Sequence, residues 1–164
     1  MAVQAISSTS FNCEWKYDVF LNFRGKDTRN GFTGHLYFAL CENGIRTFMD
    51  DEELRKGDEI TPALFKAIEQ SRMAIVIFSN DYASSTFCLN ELVTILQFIK
   101  GNSRLVLPIF YDVEPLHVRH QEGKYREALA MHERKLKDNV DKLQRWKAAL
   151  HEAANISSFH LSVG

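Results

Sequence analysis

The stretch 74–96, AIVIFSNDYASSTFCLNELVTIL, decides how the rest of the chain is read. It opens on a continuous apolar run, the pattern of a strand buried on both faces of a sheet; a half-exposed strand alternates instead. Polar residues follow. From about Leu89 apolar positions return at helical spacing, with Leu89, Leu92, Val93, Leu96 and Ile99 on one side. Strand, polar loop and helix form the repeating unit of a parallel sheet. The helix carries a carboxylate, Glu91, in its first turn, just past the carboxyl end of the strand, where open α/β sheets bind ligands.

The same unit recurs outward in both directions. Upstream, 17–23 (YDVFLNF) is a strand and 24–30 (RGKDTRN) a loop around Gly25. A helix follows over 32–42, with Phe32, Leu36, Ala39 and Leu40 on one face, and Asn43-Gly44 is its left-handed stop. A short strand at 45–49 leads into the loop 50–59, acidic at both ends, with Arg55, Lys56 and Gly57 between. Thr61-Pro62 reads as an N-cap and first-turn pair for a helix that buries Leu64, Ala67 and Ile68. The strand 73–78 comes next. Downstream, 105–111 is another apolar strand, and Pro108 inside it points to a sheet edge or a bulge. Residues 112–123 read as irregular. Helices at 124–135 and 140–154 complete the domain, the last with Val140, Leu143, Trp146, Leu150 and Ala153 on one side.

Alternating strands and helices with right-handed crossovers give an α/β fold, a flavodoxin-like doubly wound parallel sheet of about five strands with helices on both faces. In that order the switch point lies between the first and third strands, beside the loops 24–30 and 79–87. The crevice then gathers Arg24, Gly25, Ser79 and Glu91. Residues 1–15 read as a flexible tail and 159–164 as a terminal linker.

A chain of 164 residues with 45% apolar content suffices for one domain with its own core. A net charge of −1 calls for neither nucleic acid nor an anionic membrane, and no apolar run is long enough to span a bilayer. Lys124, Arg126, Lys135, Lys137, Lys142, Arg145 and Lys147 read as solvated helix faces. Cys13, Cys41 and Cys88 are odd in number and far apart, which fits a reducing compartment and not a disulfide framework. The first fifteen residues lack the pattern of a secretory signal, so an intracellular protein is expected. His117 and His120, with Glu114 and Glu122 nearby, are interrupted by Pro115 and read as solvated surface, so no metal is expected.

Several chemistries are excluded by motif. The chain has no GxxxxGK[ST], no GxGxxG after the first strand and no GxSxG. Where a phosphoacceptor receiver domain needs acids, it has Phe23-Arg24-Gly25 and Ser79-Asn80. Glu91 is either ordinary first-turn charge, favoured by the helix dipole, or a working carboxylate next to Phe87 and Cys88. Cys88 fits an inert buried residue better than a nucleophile. One ionised carboxylate is a poor match to ordinary glycoside hydrolysis, which wants an acid as well. It suffices when the leaving group is already cationic, as nicotinamide is in NAD, because it can orient ribose hydroxyls and offset an oxocarbenium-like transition state.

Together the motifs resemble a plant Toll/interleukin receptor (TIR) domain. The matching pieces are YDVFLNFRGKDTR at 17–29, GIRTFMDDEELRKGDEI at 44–60, AIVIFSNDYASSTFCLNEL at 74–92, LPIFYDVEPLHVR at 107–119 and QRWKAALHEAANIS at 144–157. The resemblance covers 16–158. It implies cleavage of NAD+ or NADP+, as substrate and not as bound cofactor, to nicotinamide and ADP-ribose-type signalling nucleotides once domains self-associate. It puts the family's catalytic glutamate on Glu91 and its substrate-lining loop on Phe23, Arg24 and Gly25. The mobile loop of the family falls on 51–59 with Arg55 and Gly57. Phe48, Phe87 and Cys88, with Ser79 from the crevice, complete the expected substrate site.

Three departures stand out. Phe87 replaces a usual Trp, Gly34-His35 replaces a Ser-His pair used in self-association, and Gly123-Lys124-Tyr125 replaces Gly-Ser-Phe. The implied partners are further copies of the chain and other TIR domains, with no membrane and no nucleic acid. The implied location is the cytoplasm, with the nucleus as a second site. Such domains lead plant nucleotide-binding leucine-rich-repeat immune receptors, so the chain reads as a TIR-only protein or a piece of such a receptor. The alternative reading is a non-catalytic homotypic interaction module.

Overall fold

Period-two alternation within the apolar runs sorts their side chains into two layers, and the sheet follows from that. The computed structural model describes residues 15–50 and 59–162. Among them five strands form one sheet: β1 (Tyr17–Asn22), β2 (Thr47–Met49), β3 (Ser71–Phe78), β4 (Val106–Tyr111) and β5 (Phe159–Leu161). Every neighbouring pair is parallel and the order is β2-β1-β3-β4-β5, so growth reverses between β1 and β3 as expected. The helices are α1 (Gly25–Thr28), α2 (Phe32–Glu42), α3 (Pro62–Glu69), α4 (Thr86–Phe98), α5 (Pro115–Arg119), α6 (Lys124–Leu136) and α7 (Val140–Ala154).

On one face Phe20, Ala74, Val76, Phe78, Val106 and Phe110 meet α3, α4, α6 and α7. On the other, Val19, Leu21, Phe23, Ile75, Ile77 and Ile109 meet Phe32, Leu36, Tyr37 and Leu40 of α2. Asn22 shares the side of Phe20, so the last residue of β1 faces the α4 layer. No helix among the described residues is long and apolar enough to cross a membrane.

Local signals placed several boundaries where the sequence puts them. Gly44 sits at φ +74 after α2, and the Thr61 hydroxyl accepts from the Leu64 amide at 3.3 Å. The expected sheet edge at Pro108 needs correction, because β4 lies between β3 and β5; the proline is tolerated there because pairing with β5 begins only at Ile109.

Other expectations need correction. The loop 24–30 contains α1, and the irregular stretch 112–123 contains α5, whose Pro115 occupies the tolerated first helical position. The expected linker at 159–164 supplies β5. Helix α4 starts at Thr86, three residues earlier than its apolar periodicity, because Ser85 caps it. Ala39 is exposed, and Val140 at the start of α7 is 60% exposed, so neither joins the buried face. Residues 1–14 of the expected tail and most of the loop 51–59 lie outside the described residues, whereas Trp15, expected in the tail, has the Arg104 guanidinium 4.8 Å from its ring centre.

Helix α2 approaches the turn before it closely. A Cβ at Gly34 would stand 2.3 Å from the Arg29 carbonyl oxygen, a backbone atom that cannot swing aside. In an unconstrained helix Gly34→Ala would gain about 1 kcal/mol of propensity. Here overpacking, about 1–3 kcal/mol, outweighs that gain. We expect Gly34→Ala to lower the unfolding midpoint by about 2–6 °C. A rise in Tm on calorimetry would show that the contact relaxes at no cost.

Candidate functional site

Glu91 is set by the register of α4. Ser85 caps the helix, its Oγ accepting from the Cys88 amide at 3.1 Å. Glu91 is then the sixth helical residue, in the second turn and not the first, so the helix dipole supports it little. Its i−3 and i+4 neighbours Cys88 and Ile95 are buried, and Glu91 turns inward with them at 2% exposure.

A buried carboxylate needs donors. Asn22, at the end of β1, donates from Nδ2 to Glu91 Oε2 at 3.3 Å and lies 3.5 Å from the Cys88 carbonyl oxygen. Its Oδ1 accepts from the Tyr82 hydroxyl, which also lies 3.1 Å from the Cys88 carbonyl oxygen. Tyr82, in the 3₁₀ turn Tyr82–Ser84, is fully buried. Burial first, then the charges of Cys88 and Glu91, push its pKa well above the usual phenol range, so it remains a donor.

A second cluster sits beside it. Asp27 of α1 receives Arg24 Nη1 at 2.5 Å on one oxygen. Its other oxygen receives Ser79 Oγ at 2.5 Å and the Asp81 amide at 3.3 Å. The Ser79 carbonyl accepts from the Tyr125 hydroxyl at 2.7 Å. A cavity of about 240 Å³ opens here, lined by Asp27, Ser79, Asp81, Tyr111, Asp112 and Lys124 among others. Arg24 and Ser79 do converge after β1 and β3, and Asp27 is the residue that joins them.

The remaining sequence-derived candidates are more dispersed. Phe23 is buried beneath the Arg29 guanidinium, 5.5 Å from the ring centre, and its carbonyl accepts from Cys88 Sγ at 3.4 Å. Cys88 is therefore a buried core thiol outside any disulfide, in keeping with the inert reading. Gly25 opens α1, where a Cβ would press on the Arg29 guanidinium at 3.1 Å. Phe48 stacks on Phe20 at 5.2 Å and meets Tyr17 edge-on, toward the amino end of β1, whereas Glu91 is held at the carboxyl end. Phe87 is packed in the core at 7% exposure and does not present a stacking face to solvent. His35 is exposed on α2. Arg55 and Gly57 lie outside the described residues.

Sequence reasoning missed Asn22, Asp27 and Tyr82. Asn22 did leave a signal, as the polar residue inside the apolar run of β1. Asp27 and Tyr82 sit in polar loops, where nothing local marks them.

Comparison with known proteins follows the same outline. The family model described as TIR domain matches residues 16–163. The chain is 52% identical over 151 residues to TMV resistance protein N of Nicotiana glutinosa, covering 92% of this chain and 13% of that protein. It is 55% identical over 145 residues to Disease resistance protein RPV1 of Vitis rotundifolia, covering 88% of this chain and 10% of that one. The chain thus spans only a small fraction of the length of these curated relatives. Among solved structures it resembles the TIR domains in the structure of the activated Roq1 resistosome directly recognizing the pathogen effector XopQ. There the TM-score is 0.82 at 53% identity, covering 88% of this chain and 87% of that one.

The Asp27 cluster makes a prediction about stability. Asp27→Ala strips acceptors from Ser79 Oγ, the Asp81 amide and Arg24 in a partly buried setting, which costs about 1–3 kcal/mol. Lys124 lies 3.5 Å from Asp81 with both side chains about half exposed, so Lys124→Ala should cost about 0–1 kcal/mol. Denaturant unfolding of the two variants checks the contrast. Equal losses would refute this ranking.

Proposed function

The chain belongs to the TIR domain family, and from that premise we propose that it is an NAD+ or NADP+ nucleosidase signalling in plant immunity. The observation that supports this most is Glu91: one carboxylate, buried at the carboxyl end of the sheet, beside the switch point, with a donor on Oε2. In the proposed reaction the bond between ribose C1′ and the nicotinamide nitrogen breaks. Both electrons leave with nicotinamide, which becomes neutral and needs no proton. The cationic C1′ is met by water, whose proton passes to solvent, leaving an ADP-ribose-type product. Glu91 offsets the developing positive charge, and a carboxylate in a water-poor site does so more strongly than one in bulk solvent.

In this structure Arg24 is engaged by Asp27 and Glu91 is covered. Admission of a dinucleotide therefore requires rearrangement. Self-association with other copies or other TIR domains is the proposed trigger, and the similarity to domains solved within a resistosome supports it. Arg24 would then turn from Asp27 to a substrate phosphate. The proposed setting is the cytoplasm, with the nucleus a second site, and NAD(P)+ is substrate and not resident cofactor. The covered carboxylate also favours a second reading, a homotypic interaction module without turnover.

Concentrated protein incubated with NAD+ tests both. Glu91→Gln keeps the side-chain volume, and we expect it to lower nicotinamide release by about 100-fold or more while leaving the unfolding midpoint in place. The wild-type rate should rise faster than linearly with protein concentration. A Glu91→Gln variant as active as wild type sinks the catalytic assignment. Absence of nicotinamide from the wild-type protein at high concentration favours the module.

A further inference from the structure

We propose that Asn22 and Tyr82 are positioning residues that fix the Glu91 carboxylate, Tyr82 orienting the Asn22 amide and the amide orienting Glu91 Oε2. The inference rests on the reading of Glu91 as the working carboxylate. It concerns two fully buried residues that act through Glu91 and not on the substrate itself.

The orientation of the Asn22 amide is over-determined. The Cys88 carbonyl and the Glu91 carboxylate only accept hydrogen bonds, so the atom of the amide facing both must be the nitrogen. The amide oxygen then faces the Tyr82 hydroxyl, which donates to it. Burial and the neighbouring charges keep that hydroxyl protonated, so the donor does not switch off near neutral pH. Cys88 and Glu91 are three residues apart on α4, so one amide clamps a single helical turn. Tyr82 is itself held by an edge-on contact with Phe78 at 4.9 Å.

A purely structural role accounts for less of this. An apolar residue at position 22 would continue the run of β1 and would leave no buried amide to satisfy. Asn is useful there because α4 brings a carboxylate to the same place. Besides Glu91, the titratable groups acting on Tyr82 are Cys88, on the same helix, and Tyr125 from α6.

The test follows Glu91 directly, by NMR of its side-chain carboxyl carbon in the full chain, together with nicotinamide-release kinetics. Asn22→Asp keeps the shape and the acceptor for Tyr82, and replaces the donor to Glu91 with a second carboxylate. We expect the Glu91 titration to move up by about one pH unit or more. We also expect kcat to fall by about tenfold to a hundredfold, with KM changed by less than about twofold. Tyr82→Phe keeps the ring and removes the hydroxyl. It should shift the Glu91 carboxyl resonance and lower kcat in the same way, and it carries the test if Asn22→Asp does not fold. A lowered melting temperature with an unmoved Glu91 resonance and unchanged kcat in Tyr82→Phe overturns the inference. The NMR measurement needs no turnover, so an inactive wild-type protein sinks the nucleosidase reading alone. An unmoved Glu91 titration in folded Asn22→Asp sinks the positioning role whatever the turnover.

Discussion

Where β1 ends, two consecutive residues seize the opening turns of α4, and much of the molecule is arranged to let them. The Asn22 amide reaches Glu91 and the Cys88 carbonyl, and the Phe23 carbonyl receives the Cys88 thiol. Each such bond contributes only about 0.5–1.5 kcal/mol net, but leaving a buried polar partner unmet costs about 1–3 kcal/mol, and more for a charge. The contact therefore behaves as a unit. If α4 slid or rotated by one residue, Glu91 would lose its donor and Asn22 its acceptors together.

Because of that dependence the loop between β3 and α4 is tied down along its length. Tyr125 from α6 donates to the Ser79 carbonyl at its start, and His132 Nε2 lies 2.7 Å from the Ala83 carbonyl oxygen in its middle. Tyr82 reaches across to Asn22, and Ser85 caps the helix that follows. Asp27 ties Ser79 and the Asp81 amide to the loop after β1. The aromatic side chains involved are buried, so these bonds form away from competing water, where they hold geometry better than exposed ones. Together they hold the Glu91 carboxylate and the start of α4 in one arrangement.

The parts of the fold legible in the sequence were those with strong local signals. Continuous apolar runs marked β1, β3 and β4, and Thr61-Pro62 and Asn43-Gly44 marked helix ends through capping and left-handed geometry. Legibility failed where the signal was short or shared with loops. Three exposed residues, Phe159–Leu161, make β5 only because β4 offers them an open edge. Pro115 suggests a break, yet at a first helical position it starts α5. The apolar spacing of α4 begins at Leu89, while its polar cap stands earlier, at Ser85. That offset puts Glu91 in the second turn, where a hydrogen bond from Asn22 and not the helix dipole holds it.

By itself the sequence determined the order of strands and helices, the parallel sheet they imply, the TIR resemblance and the candidacy of Glu91. These rest on periodicity, capping and motif, all of which are local. Only the tertiary structure decided that Glu91 is covered, that Phe87 is core, that Arg24 rests on Asp27, and that Asn22 and Tyr82 surround the carboxylate. The physical reason is separation along the chain. Asn22 meets Glu91 across 69 residues and Tyr82 across 60. Such meetings depend on the pairing of β1 with β3 and on the rotation of α4 against the sheet, which no local propensity encodes.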